Sequence, residues 1–171
     1  MIVNRSTLLY AAPIKDMVSE KHRTHGVSWG LAEAGYDIRI KQEVRFAART
    51  WRGGPAVWVD GFRKPGRFTI ASAIEEFQVP NDLVAEVKDK STWARQGLSV
   101  FNTVIEPGWK GFLTLELVYH GEDELCLPAG AGIAQVLFSR ITEPASYAGK
   151  YQGQPNLPVP AAFYQSEGAI L

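Results

Sequence analysis

Thr103 to Leu117 reads TVIEPGWKGFLTLEL. Pro107-Gly108 is a turn pair set between two runs rich in apolar and β-branched residues, so the stretch predicts a hairpin. Side chains alternate along its second arm. Leu115 and Leu117 share one face, and Thr114, Glu116 and Val118 share the other. Glu116 is therefore the odd residue of the strand. On an open face it is an ordinary surface acid. On an enclosed face its carboxyl would have a raised pKa and suit proton transfer.

Working outward, the same short alternating runs recur. Tyr36 to Ile40, Val44 to Ala48, Ala56 to Asp60, Arg67 to Ala71 and Glu75 to Val79 precede the hairpin, punctuated by GGP and KPG. Leu83 to Val87, Leu98 to Ile105, Phe112 to Tyr119, Glu124 to Leu127 and Ile133 to Arg140 complete the pattern. Many short strands with frequent turns predict a mainly β fold, a jelly roll or distorted barrel rather than a parallel α/β sheet. A short N-terminal helix is expected around Leu8, Leu9 and Ala12, interrupted by Pro13. From Thr142 onward the strand period is lost. Tyr147, Lys150, Tyr151 and Gln154 crowd into this tail, which reads either as a frayed terminus or as a lid closing over a ligand. One domain over 1–171 is expected, with the lid over about 142–171.

Composition narrows the function. Lys+Arg and Asp+Glu both number 18, for a net charge of +0. A protein that binds nucleic-acid polymers through their backbone needs a basic excess, so such a partner is not expected. No apolar run reaches the ~20 residues of a membrane span, and the N-terminus has no secretory h-region. The single Cys126 allows no internal disulfide, and a reducing, cytoplasmic setting is the expectation. With one cysteine and three histidines, His22, His25 and His120, no zinc-ligand cluster is present. His22 and His25 lie in the polar run KHRTHG and read as surface or loop residues.

Two further segments carry chemistry-bearing side chains. Val87 to Gly97 (VKDKSTWARQG) groups Lys90, Ser91, Thr92 and Arg95 after a strand. Hydroxyls, backbone N–H groups and cations in one turn suit a phosphate, and a short capped surface helix would use the same residues. Helical spacing puts Ser91 and Arg95 on one side. Ala129 to Phe138 (AGAGIAQVLF) is a turn feeding an apolar strand, with Gln135 its one polar interruption.

Five segments in order resemble the dCTP deaminase / dUTPase superfamily. EAGYDIRI (Glu33 to Ile40) is similar to its first motif, and KSTWARQGL (Lys90 to Leu98) to R-S-S-L-A-R-x-G-L of the deaminases. TVIEPGWKGFLTLEL resembles I-D-P-G-W-x-G-x-I-T-L-E-L, and GIAQVLF resembles G-x-x-I-[GA]-Q-L-x-F. YAGKYQGQ (Tyr147 to Gln154) is similar to the deaminase tail rather than to the Gly-rich tail of dUTPases.

The resemblance implies hydrolytic deamination of dCTP to dUTP without zinc, with Glu116 as general base. Ser91 would position the water, and Arg95 would fix Glu116 and stabilise developing charge. It implies that Lys90, Ser91 and Thr92 hold phosphates and that Glu106 and Trp109 lie at the sugar. Gln135, Tyr147, Lys150 and Gln154 would complete the nucleotide site, together with Trp93, Ala94, Thr114 and Leu115. A magnesium ion carried by the triphosphate, a homotrimer with interfacial sites, and dTTP or dUTP as further ligands are also implied. Three departures stand out: Lys90 replaces the motif's arginine, Glu106 its aspartate, and the loop from Asn102 to Glu106 is short. That loop normally offers carbonyls to the cytosine amino group. The alternatives are a dUTP diphosphatase, a bifunctional enzyme, or a non-catalytic nucleotide-sensing or protein-binding trimer.

Overall fold

The computed structural model describes residues 1–163, so the end of the expected lid, 164–171, lies outside the described residues. Chain order begins with β1 (Ile2–Val3) and helix α1 (Arg5–Ala11). The helix buries Leu8 and ends at Ala12 in the left-handed region (φ 44), immediately before Pro13, which cannot continue it. Next come β2 (Lys21–Thr24), β3 (Val27–Leu31), β4 (Tyr36–Arg39), β5 (Val44–Phe46), β6 (Ala56–Val59) and β7 (Phe62–Pro65). Then follow β8 (Phe68–Gln78), β9 (Leu83–Asp89), helix α2 (Ser91–Ala94), β10 (Leu98–Val100) and β11 (Val104–Ile105). The last are β12 (Lys110–Tyr119), β13 (Leu125–Leu127) and β14 (Gly132–Arg140).

These strands form three antiparallel sheets and no closed barrel among the described residues. The largest runs β11-β9-β14-β4-β3-β2, with β1 added against β14; the others run β10-β12-β8 and β13-β5-β6-β7. All three bury their apolar faces in one core, where Tyr36, Phe46, Phe77, Phe138, Leu115 and Leu117 are almost fully enclosed. The mainly β expectation therefore holds. No helix among the described residues is long and apolar enough to cross a membrane.

Three details differ from the sequence reading. Arg67 to Ala71 and Glu75 to Val79 belong to one strand, β8, whose register against β12 shifts between Phe112 and Thr114. That bulge is why the pattern reads as two strands. It is pinned by buried Glu75, which accepts bonds from Arg39 Nε (2.8 Å) and Arg39 N (2.9 Å). The predicted hairpin around Pro107-Gly108 does not form. Its first arm, β11, pairs with β9, and its second, β12, pairs with β8 and β10. Finally, the polar KHRT run pairs with β3 as a true hairpin, where His22 stacks on Trp29 at 4.8 Å and the Arg39 guanidinium lies over the Trp29 ring at 3.9 Å.

Candidate active site

Glu116 reaches its position through strand parity. Leu115 and Leu117 on either side are fully buried, so their alternation turns Glu116 away from the core. That outer face of β12 is not open surface. It walls a cavity of about 710 Å³ with Thr69 and Ile70 of β8, the loop from Asn102 to Glu106, and the tail from Tyr147 to Ala161. Glu116 is half-buried there, and among the described residues no ion pair or side-chain hydrogen bond reaches its carboxylate. Loss of water alone holds its pKa above the usual glutamate value. The main chain at this point is firmly held. Phe101 N donates to Glu116 O (2.8 Å), and the Asn102 side chain bridges Thr114 O (2.6 Å) and Glu116 N (3.2 Å).

The tail lies along the first half of β12. Tyr147 N bonds Pro107 O (2.8 Å), Trp109 Nε1 bonds Tyr151 O (2.7 Å), and Gln152 Nε2 reaches Gly108 O (3.0 Å). Gln154 then forms a parallel bridge with Gly111, and its side-chain oxygen accepts from Thr114 Oγ1 (2.9 Å). Thr114 Oγ1 also accepts from Val159 N (3.0 Å), which brings Val159, Pro160 and Ala161 over the cavity. Lys150 donates to Ala162 O and lies beside the Tyr151 and Phe163 rings.

A family model for dCTP deaminase-like proteins matches residues 62–141. The dCTP deaminase of Campylobacter fetus subsp. fetus is 37% identical over 153 residues, covering 78% of this chain and 81% of that protein. The dCTP deaminase of Roseiflexus castenholzii is 33% identical over 165 residues, covering 86% and 89%. The chain belongs to the dCTP deaminase family. Solved structures agree on the fold. The 2'-deoxycytidine 5'-triphosphate deaminase from Agrobacterium tumefaciens superposes with a TM-score of 0.55 at 17% identity, over 82% of this chain and 48% of that one. The EIAV dUTPase superposes with a TM-score of 0.51 at 18% identity, over 82% and 92%.

The family's motif residues fall into two groups in this chain. Glu106, Trp109, Thr114, Glu116, Tyr147 and Gln154 all line the cavity. Trp109 does so from a buried position against Phe77, where its indole anchors the tail. Leu115 points into the core instead. Ser91, Thr92, Ala94 and Arg95 are exposed on α2 and do not line the cavity, and no cation contributes to the Glu116 shift. Within one chain, then, Arg95 is not the partner of Glu116.

Lys90 and Gln135 are engaged elsewhere. Lys90 Nζ is ion-paired with buried Asp37, which also accepts from Gln135 Nε2 (3.1 Å) and Ser28 Oγ (3.2 Å). Trp93 is buried beneath them, its indole bonded to Gly132 O (2.7 Å). Sequence reading missed Lys64 and Thr69 as cavity residues; it placed Tyr151 in the possible lid and Asn102 in the short loop without assigning either a role. Lys64 stands in the run FRKPG, and nothing in that run indicates that β7 and β8 bring it beside β12.

Proposed function

We propose that this member of the dCTP deaminase family hydrolyses dCTP to dUTP and ammonia, with Glu116 as the general base. The observation that carries this reading is a carboxyl without a partner, its pKa raised by lost water, inside a cavity of ligand size. Deamination needs such a group to carry protons in both directions. Glu116 takes a proton from water as the water oxygen bonds to C4 of the cytosine ring, and passes it to ring N3. It then moves the hydroxyl proton to the amino group, the C4–N4 bond breaks, and ammonia leaves. A pKa above the ordinary carboxylate value makes the protonated form easier to reach in the return half of the cycle.

The remaining roles follow from charge. Among the described residues, two carboxylates, Glu106 and Glu116, line the cavity, and Lys64 is the one cation on its wall. A triphosphate carries more negative charge than one lysine can balance, so further cations must arrive. Ser91, Thr92 and Arg95 stand exposed on α2, with donors directed at solvent, and a second copy of the chain supplies them in this reading. The site is then interfacial, and the homotrimer is the assembly that the family resemblance implies. Among the described residues no group of His, Cys, Asp and Glu fits a metal ion. Magnesium in this reading arrives bound to the triphosphate oxygens.

The test is a nucleotide panel with product analysis on wild type and Glu116→Gln. Wild type should convert dCTP to dUTP and ammonia. The variant should bind dCTP and lose at least about a hundredfold in kcat. Near wild-type turnover by Glu116→Gln removes the base assignment. Formation of dUMP and pyrophosphate from dCTP would make the enzyme bifunctional, and tight nucleotide binding with no turnover would leave only a sensor.

A further inference from the structure

Strand β10 ends at Val100, opposite Leu117, and the chain then leaves the sheet to reach β11 against β9. Between Glu116 O, which still accepts from Phe101 N (2.8 Å), and Phe112 N, which bonds Gln154 O of the tail (3.0 Å), β12 has a strand only on its β8 side, where Thr114 and Glu116 register with Ser72 and Ile70. On its other edge the Thr114 carbonyl and the Glu116 N–H would be left without a strand, at the wall of a cavity that admits water. The Asn102 carboxamide occupies that place. It donates from Nδ2 to Thr114 O at 2.6 Å and accepts from Glu116 N at 3.2 Å. One side chain thus extends the ladder past the end of β10.

We propose that Asn102 is a positioning residue for Glu116, holding the backbone on both sides of Leu115 so that the carboxyl enters the cavity in one orientation. The proposal rests on the reading of Glu116 as general base. Both ends of the Asn102 amide serve β12, one N–H of Nδ2 and one lone pair of Oδ1. Only a carboxamide satisfies both partners. An aspartate has no donor for Thr114 O, and a hydrophobic residue has neither group. The same strand position also carries the tail, since the Thr114 hydroxyl binds Gln154 Oε1 and Val159 N. Asn102 therefore ties the short loop to the strand that carries Glu116, and Thr114 ties that strand to the tail. A wobble of the strand here would move Glu116 relative to the reacting carbon, and small misplacements of a reacting group cost rate steeply.

Asn102→Asp and Asn102→Ala test this together. The first is isosteric; the second leaves two orphaned groups that cavity water can solvate, so it keeps a folded protein in hand. Kinetics on dCTP should show kcat down by about tenfold or more in both, with KM changed by less than about threefold. The acid limb of the rate profile of Asn102→Asp should move up by about half a pH unit or more, because a new carboxylate lies beside Glu116. Titration of the Glu116 side-chain carboxyl by carbon-13 NMR, without nucleotide, should show the same upward move. Unchanged kcat in both variants, or an unchanged Glu116 titration in Asn102→Asp, overturns the proposal. Should Glu116→Gln itself keep turnover, the base assignment fails separately, and the titration still decides whether Asn102 governs the carboxyl.

Discussion

Glu116 is costly to the fold, and that cost is measurable. Its carboxyl loses water on folding and receives no cation in return, so the folded chain holds the proton to a higher pH than the unfolded chain does. The folded state therefore binds more protons than the unfolded state in that window. The contribution of Glu116 to stability is greatest below the ordinary carboxyl pKa and falls as pH rises through the raised one. Glu116→Gln removes the titration. Its melting temperature should exceed that of wild type at pH 7, and the difference should close at about pH 4 and below, where wild type is protonated as well. A melting difference that is independent of pH would mean that burial of the charge is not what raises the pKa. The alternation of Leu115, Glu116 and Leu117 made this residue legible from sequence, because strand parity is local. Asn102 and Lys64 were not legible. Their roles depend on which strand runs beside β12, and no feature of FNTV or FRKPG states that.

At the scale of elements, the tail and β12 depend on a backbone approach that only glycine allows. Gly111 has φ 132, and a Cβ there would lie 2.6 Å from Gln154 N and 2.8 Å from Gln154 O. Those are the groups through which the tail meets the strand, with Gln154 O accepting from Phe112 N (3.0 Å). Gly111→Ala should therefore push the tail away from β12 while leaving the three sheets intact. The expected result is a loss in kcat/KM for dCTP of about tenfold or more, with faster proteolytic cleavage after Tyr147. Full activity with a protease-resistant tail would show that the docked tail does not serve the site. The tail's side-chain inventory was readable, because Tyr, Lys and Gln stand close together in YAGKYQGQ. Its path was not. The hairpin expected at Pro107-Gly108 failed for the same reason: a Pro-Gly turn fixes a local bend, whereas partner choice for β11 and β12 is set by which sheet each one can bury itself in.

For the whole molecule, the separation of Glu116 from Arg95 follows from topology. Helix α2 lies between β9, in the large sheet, and β10, in the sheet that holds β12. Strand periodicity in the sequence was enough for a mainly β fold, yet it carries no information on which side of that crossing a side chain emerges. The cavity meanwhile leaves apolar surface in water: Phe68 is 54% and Val104 47% exposed on its wall, and Phe101 beside it is 56% exposed. Exposed rings and a methyl-bearing loop around a cavity short of cations suit a neighbouring subunit that covers the first and supplies the second. Complementation between inactive variants tests this. Arg95→Ala and Glu116→Gln, each inactive alone, are co-expressed with different tags, and mixed oligomers are isolated through both. A site in a mixed oligomer is whole when the Glu116 side comes from an Arg95→Ala subunit and the Arg95 side from a Glu116→Gln subunit. In a mixed trimer of either composition one of the three interfaces has that arrangement, so about a third of wild-type kcat per site should return. If each site used Arg95 and Glu116 from one chain, every subunit would carry one lesion and mixing would restore nothing. Mixed oligomers as inactive as their parents would therefore remove the interfacial site.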